Sequence, residues 1–138
     1  MSLARIINGM AYENDLGVVV SRKHRDGVSV TLKVRPNLLN GSGVMHGGVI
    51  ASIADEAAWH AIRHHFADDR PCTTTELKVN YLRPIGGKKA LGRAFMLRAG
   101  KTLCVVRVDI FDDQRRLSAT SIVTYLLLER PPAVVAAR

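Results

Sequence analysis

The chain has 138 residues, enough for one hydrophobic core and too few for two. Hydrophobic residues make up 47% of it and occur along its whole length, which excludes a disordered chain, and no apolar run approaches the ~20 residues that span a bilayer. The formal net charge of +8 comes from scattered basic residues without a recognised nucleic-acid motif, so nucleic acid is disfavoured as a partner.

Two further features bear on the compartment. The N-terminus carries an early charge and lacks a long apolar segment with a cleavage site, so we predict no signal peptide and a cytoplasmic location. Cys72 and Cys104 form no metal-binding pattern, and we expect both to be small buried hydrophobes.

The first predicted elements are a helix and a hairpin. Apolar residues recur at helical spacing in residues 3–14, which predicts a short amphipathic helix. Residues 17–34 contain two β-branched runs separated by Asp26-Gly27, a strong hairpin signal. A loop rich in Asn and Gly follows over residues 36–43.

The longest helical pattern covers residues 46–65, where isoleucine and alanine form one stripe with a 3.6-residue period. Its many alanines indicate that another element packs unusually close.

The order β-β-α-β-β-β-β predicts an α+β fold, a curved antiparallel β-sheet wrapped around one long central α-helix. We expect a single domain over residues 1–138, with a core at about 15–129 and a loose tail over 130–138. The four later strands are predicted over 73–82, 90–99, 102–112 and 117–129.

Residues 40–55 carry the candidate chemistry. A glycine pair, Gly47-Gly48, opens the long helix, whose N-terminus offers free N–H groups to a negative oxygen. The Gly47 N–H could thus stabilise an oxyanion, with the Asn40 side chain as a second donor. The alternative is that both glycines only relieve crowding at the helix start.

Asp55 is a carboxylate within an apolar helix. Helical geometry places it beside the apolar stripe, where ionisation is costly without hydrogen bonds, and places Glu56 almost opposite, as an ordinary solvated or salt-bridged carboxylate. Asp55 is therefore a candidate base or nucleophile, or else a structural aspartate bonded to a neighbouring element.

Gly47 and Asp55 are separated by about 12 Å along one helix, so one scissile carbonyl cannot contact both. Either one of them alone is catalytic, or a second copy of the chain completes the site. Two antiparallel helices crossing at alanine-rich faces would bring Gly47 of one subunit near Asp55 of the other, which favours a homodimer.

The histidines leave alternatives open. His46 could be a base, but a histidine before a glycine pair could equally hold the loop by a hydrogen bond, and we favour that structural role. The other histidines show no ligand spacing, so no metal is predicted.

Asn40, His46-Gly47-Gly48 and Asp55, followed by the strand that ends in Leu82-Arg83-Pro84, closely resemble the hotdog-fold acyl-CoA thioesterases. The nearest branch is the PaaI-like (phenylacetic acid degradation) type of the 4-hydroxybenzoyl-CoA thioesterase superfamily. The resemblance covers about residues 15–129.

The resemblance implies roles for individual residues. Gly47 N–H and Asn40 would polarise the thioester carbonyl, Asp55 would act as nucleophile or general base, and the Thr74 hydroxyl would orient the water or the carboxylate. In such relatives the aspartate and hydroxyl come from the subunit opposite the glycine, and dimers usually pair into tetramers. His46 completes the candidate catalytic set.

Coenzyme A would account for the basic charge, because its phosphates need cationic partners. Trp59, one helical turn after Asp55, would narrow the acyl pocket or stack on an aromatic acyl group; ordinary core packing is the alternative. The expected substrate-binding residues are Gly48, Trp59, Arg83, Lys88, Lys89 and Lys101.

The expected reaction is hydrolysis of an aromatic or medium-chain acyl-CoA to the free acid and CoA, without a metal or other cofactor. Asp55 would either attack the carbonyl or deprotonate a water. The alternatives are a non-catalytic acyl-CoA binding module and a hydratase of the same fold, which would need a catalytic His–carboxylate arrangement.

Overall fold

The computed structural model describes residues 11–129, which form two α-helices, a short 3₁₀ turn and six β-strands. The elements are α1 Ala11–Leu16, β1 Val19–His24, β2 Gly27–Lys33, the 3₁₀ turn Pro36–Leu38, α2 Gly47–Phe66, β3 Cys72–Tyr81, β4 Lys89–Ala99, β5 Leu103–Phe111 and β6 Leu117–Leu127.

The predicted element order is confirmed. No end of the long helix or of the four later strands lies more than two residues from its predicted position. Of the helix predicted over 3–14, residues 3–10 lie outside the described residues, and the described part continues through α1 to Leu16. The predicted tail over 130–138 also lies outside them.

All six strands belong to one antiparallel sheet in the order β1-β2-β4-β5-β6-β3, and α2 lies across one face of it. The predicted α+β fold is therefore confirmed. The core fills the space between α2 and the sheet, with Leu32, Ile53 and Val108 among its fully buried side chains. No helix within residues 11–129 is long and apolar enough to cross a membrane.

The alanines of α2 lie against the chain's own sheet. Ala57, Ala58 and Ala61 are 0% exposed within the single chain. On β4, a Cβ added to Gly92 would lie 2.8 Å from Val30 Cγ2 and 3.4 Å from Ile53 Cγ2, so the glycine allows this close packing. The expected helix–helix crossing through alanine-rich faces is therefore wrong, because the sheet already covers them.

A β-bulge divides β3. Thr74 is paired with Tyr125 and Glu76 with Thr124, so Thr75 is an extra residue with no counterpart on β6. Side chains alternate between sheet faces, and the extra residue lets both Thr74, before the bulge, and Tyr81, after it, reach α2. The bulge thus directs two hydroxyl groups to one helix.

Candidate active site

Asp55 lies in the middle of α2, held by two hydroxyl groups from the sheet. Thr74 Oγ1 donates to Asp55 Oδ1 at 2.8 Å, and Tyr125 Oη donates to the same oxygen at 2.7 Å. Tyr125 Oη also lies 3.0 Å from the backbone carbonyl oxygen of Asp55. No described residue donates to Asp55 Oδ2, so this second oxygen remains available to a reacting group.

The N-terminus of α2 is closed by His46. Its Nδ1 accepts the N–H of Gly48 at 2.8 Å, which makes it the helix N-cap. A Cβ on residue 48 would lie 3.0 Å from this nitrogen, which explains why a glycine stands there. The bond supports the structural role of His46, because Nδ1 is already occupied.

Gly47 begins the helix beside this cap. Tyr81 Oη donates to the Gly47 carbonyl oxygen at 2.7 Å, which fixes the first turn. Among the described residues, none accepts the Gly47 N–H. A free amide at a helix N-terminus suits a developing negative charge, because the helix dipole adds to its partial positive charge.

Asn40 organises the preceding loop. Its Oδ1 accepts the N–H groups of Ser42 at 2.9 Å and Val44 at 3.3 Å. Its amide nitrogen has no acceptor in the described part of the chain, so it could still serve as the predicted second donor.

Within one chain these groups do not form a single site. Gly47 and Asp55 are eight residues apart on one helix, a separation of about 12 Å. Neither of two surface cavities, of about 430 and 80 Å³, is lined by Gly47, Asp55 or Thr74. The described chain presents two half-sites, an amide donor and a hydroxyl-anchored carboxylate.

Comparison with known proteins assigns the family. The family model described as "Thioesterase superfamily" matches residues 42–119, more than half of the chain. This chain belongs to the thioesterase superfamily. The predicted family and the predicted enzyme class, thioester hydrolase, are confirmed at this level.

Individual members of the superfamily resemble the chain over most of its length. The medium/long-chain acyl-CoA thioesterase YigI of Escherichia coli K12 is 27% identical over 133 residues, covering 86% of both chains. The solved structure of Rv1847 from Mycobacterium tuberculosis has a TM-score of 0.80 at 28% identity, covering 88% of this chain and 99% of that one. The E. coli PaaI protein shares the fold, with a TM-score of 0.80 at 21% identity and coverage of 91% and 90%.

The structure separates the basic residues that this superfamily member was expected to offer to CoA. Lys88 and Lys89 lie together at the start of β4, and Arg83 lies in the loop before them. Lys101 follows the other end of β4, about 33 Å away for a strand of this length. All four are exposed, but Lys101 of the same chain cannot contact the same phosphate as Lys88.

Trp59 is partly buried and packs against the core. The Arg63 guanidinium carbon lies 5.0 Å from the centre of its ring, and the His60 ring meets it edge-on at 5.0 Å. Core packing, one of the two alternatives, is therefore present, and Arg63 already covers one face of the ring.

The expectation that Glu56 is solvated or salt-bridged is wrong. Glu13 of helix α1 lies beside it, and Glu56 Oε2 is buried without a hydrogen-bond partner among the described residues. Burial, the Glu13 carboxylate and then Asp55 raise the pKa of Glu56 to about 7.

His60 Nε2 bonds to Glu13 Oε1, and side-chain atoms of Glu13, Glu56 and His60 lie within 4.8 Å of one another. That no metal is bound stays a prediction.

The two cysteines differ. Cys104 is fully buried as expected, whereas Cys72 is only partly buried, and Arg63 Nη2 donates to its sulfur at 3.6 Å. Burial raises the pKa of both thiols, so neither is a thiolate nucleophile at neutral pH.

Sequence reasoning missed Tyr125. The signal was its place in β6 between the inward-facing Val123 and Leu127, because a buried tyrosine hydroxyl needs a partner. Glu13 was missed as well, because nothing in its local sequence shows which helix face α1 covers.

Proposed function

We propose that the protein is an acyl-CoA thioesterase acting on aromatic or medium-chain acyl groups. The observation that carries this proposal is Asp55, whose Oδ1 is anchored by two hydroxyls while Oδ2 is left for a reacting group. The name of the relative YigI, a medium/long-chain acyl-CoA thioesterase, agrees with CoA as the carrier. A cytoplasmic location remains part of this proposal.

The enzyme would work as a homodimer with two shared active sites. β3 is an edge strand of ten residues that pairs only with β6 in the described chain, and its partially exposed face includes Leu77 and Tyr81. Long exposed edges of this kind favour pairing with another chain. Pairing along β3 would bring Gly47 of one subunit near Asp55 of the partner subunit, and two such dimers would form the tetramer.

In the reaction, the thioester carbonyl would accept the Gly47 N–H and gain stabilisation as it becomes anionic. One such donor contributes about 2.7–4 kcal/mol to lowering a barrier of this type. Asp55 would either attack the carbonyl carbon, giving a mixed anhydride that water hydrolyses, or take a proton from the attacking water. The C–S bond breaks, and CoA leaves as the thiol. These steps require no metal or tightly bound cofactor.

The acyl group would lie near Trp59, one turn beyond Asp55. Its indole, held by Arg63, presents a limited apolar surface, which suits an aromatic ring or a medium-length chain better than a long one. Arg83, Lys88 and Lys89 would contact the CoA phosphates; Lys101 could contribute only from another subunit.

Thiol release from acetyl-, hexanoyl-, decanoyl-, benzoyl- and phenylacetyl-CoA tests the function. We expect wild type to hydrolyse the aromatic or medium-chain esters, and Asp55→Asn to lose at least about 100-fold in kcat while folding normally, since it removes the charge and keeps the shape. Asp15→Asn, an exposed carboxylate on α1, is the matched control and should retain full activity. Binding of the CoA esters without turnover by wild type would instead favour the non-catalytic binding module.

A further inference from the structure

We propose that Tyr125 is a positioning residue for thioester hydrolysis: together with Thr74 it holds Asp55 by Oδ1, so that Oδ2 is the oxygen that attacks or takes the proton. This role rests on the proposed function and adds a residue to it. Tyr125 itself would not touch the substrate.

The contacts restrict Asp55 at two points. Tyr125 Oη lies 2.7 Å from Oδ1 and 3.0 Å from the backbone carbonyl oxygen of the same residue. Thr74 adds a second donor to Oδ1 at 2.8 Å. A carboxylate on a single-bonded stem rotates freely unless such bonds fix it, so these contacts determine which oxygen faces outward.

The sheet supports this arrangement. Thr74 and Tyr125 are directly paired across β3 and β6, so their side chains leave the same face side by side. The bulge at Thr75 follows at once, and bulges are common where a side chain must be directed into a site. Two hydroxyls converge on one oxygen because of this register.

Electrostatics give the hydroxyl a second effect. Burial, with the Asp55 carboxylate nearby, strongly raises the pKa of Tyr125, so its hydroxyl remains protonated and can only donate to the charged carboxylate. A donor of this kind favours the ionised form of its acceptor. Removing it should therefore move the acid limb of the pH–rate profile to higher pH.

Tyr125→Phe tests the role, because it deletes one oxygen and keeps the ring. We expect kcat to fall about tenfold, KM to change less than about twofold, and the acid limb of kcat/KM to move up by about one pH unit. Thr74→Val should shift the limb in the same direction. Thr120→Val is the matched control, since the Thr120 hydroxyl donates to the Asp109 carboxylate and not to Asp55, and it should leave both parameters unchanged.

Incorporation of 3-fluorotyrosine at position 125 guards against misfolding, because it keeps the hydroxyl and makes it a stronger donor. The acid limb should then move to lower pH. If wild type hydrolyses the esters but the acid limb stays at the same pH in both the phenylalanine and the fluorotyrosine variants, the role of Tyr125 alone is overturned. Absence of turnover by wild type would overturn the proposed function and this role with it.

Discussion

A substitution at the start of α2 can test whether the Gly47 N–H is the oxyanion donor. His46 is the N-cap with φ −59° and ψ 137°, a conformation that a residue before proline readily adopts. Gly47 is consequently the first helical position, where proline is well tolerated because its missing N–H forms no helical hydrogen bond. Proline at this position would remove the amide N–H that we assign to the substrate and would add ring atoms, of which Cβ would lie 3.4 Å from Tyr81 Oη.

We predict that Gly47→Pro lowers kcat/KM about 100-fold or more, because it deletes the donor to the developing oxyanion. Gly47→Ala keeps the N–H and should retain most of the activity. Its Cβ would lie 3.4 Å from Tyr81 Oη, a contact that a small shift of the hydroxyl accommodates. Steady-state kinetics on the preferred acyl-CoA, with circular dichroism to confirm folding, makes the comparison. Equal activity of the two variants would remove the Gly47 amide from the mechanism.

Between elements, the contact of α1 with α2 contains an electrostatic strain. Glu13 on α1 faces Glu56 on α2, and Asp55 is adjacent, so burial and two neighbouring negative charges act on the Glu56 carboxyl. His60 is bonded to Glu13 but leaves Glu56 Oε2 without a partner among the described residues. Glu56 therefore holds its proton more tightly in the folded state than in the unfolded chain.

This shift predicts a pH-dependent stability. The ordinary pKa of a glutamate is 4.5 and the folded pKa of Glu56 is about 7, so its favourable contribution is complete below about pH 4.5 and is lost as the pH rises through 7. Glu56→Gln mimics the protonated form at every pH. Its free energy of unfolding should lie within about 0.5 kcal/mol of that of wild type at pH 5 and exceed it by about 1–2 kcal/mol at pH 8, since partial exposure screens part of the effect.

Urea unfolding of both proteins at the two pH values provides the measurement. Glu129→Gln, which removes an exposed carboxylate, is the control and should show the same difference from wild type at pH 5 and pH 8. A Glu56→Gln variant that is less stable than wild type at pH 8 would contradict the raised pKa.

The elements themselves could be predicted because each carries its own pattern. The 3.6-residue stripe of α2 and the alternating runs of β4 to β6 depend only on which side of each element is buried. Contacts between distant segments could not be read this way. Glu13 meets Glu56 only because α1 lies beside α2 in the fold, and the solvated or salt-bridged role expected for Glu56 followed from considering α2 alone.

The residues of the candidate site likewise divide into those that the sequence predicted and those that it did not. The Gly47 and Asp55 positions and the Thr74 hydroxyl came from the motif and the family that it resembles, and the structure brings Thr74 to Asp55. The bulge at Thr75, which makes this contact compatible with that of Tyr81, leaves no clear mark in a run of three threonines. Tyr125 had only its inward position in β6 to indicate a role.

For the whole molecule, the central claim is that two chains share each active site. One chain places its free amide and its anchored carboxylate about 12 Å apart on α2, and in the proposed shared site Gly47 of one subunit would act with Asp55 of the partner subunit. A heterodimer of a Gly47→Pro chain and an Asp55→Asn chain would then contain one fully intact site and one site with both defects.

The most direct test is to unfold the two variants together, refold the mixture and measure thioester hydrolysis. Random pairing makes about half of the dimers heterodimers, each with one intact site in two, so the mixture should recover about one quarter of the wild-type activity per chain. Each variant refolded alone should remain near its own low activity. If Gly47 and Asp55 instead act within one chain, every chain in the mixture carries a defect and no activity is recovered. A mixture no more active than the average of the separate variants would therefore contradict the shared site.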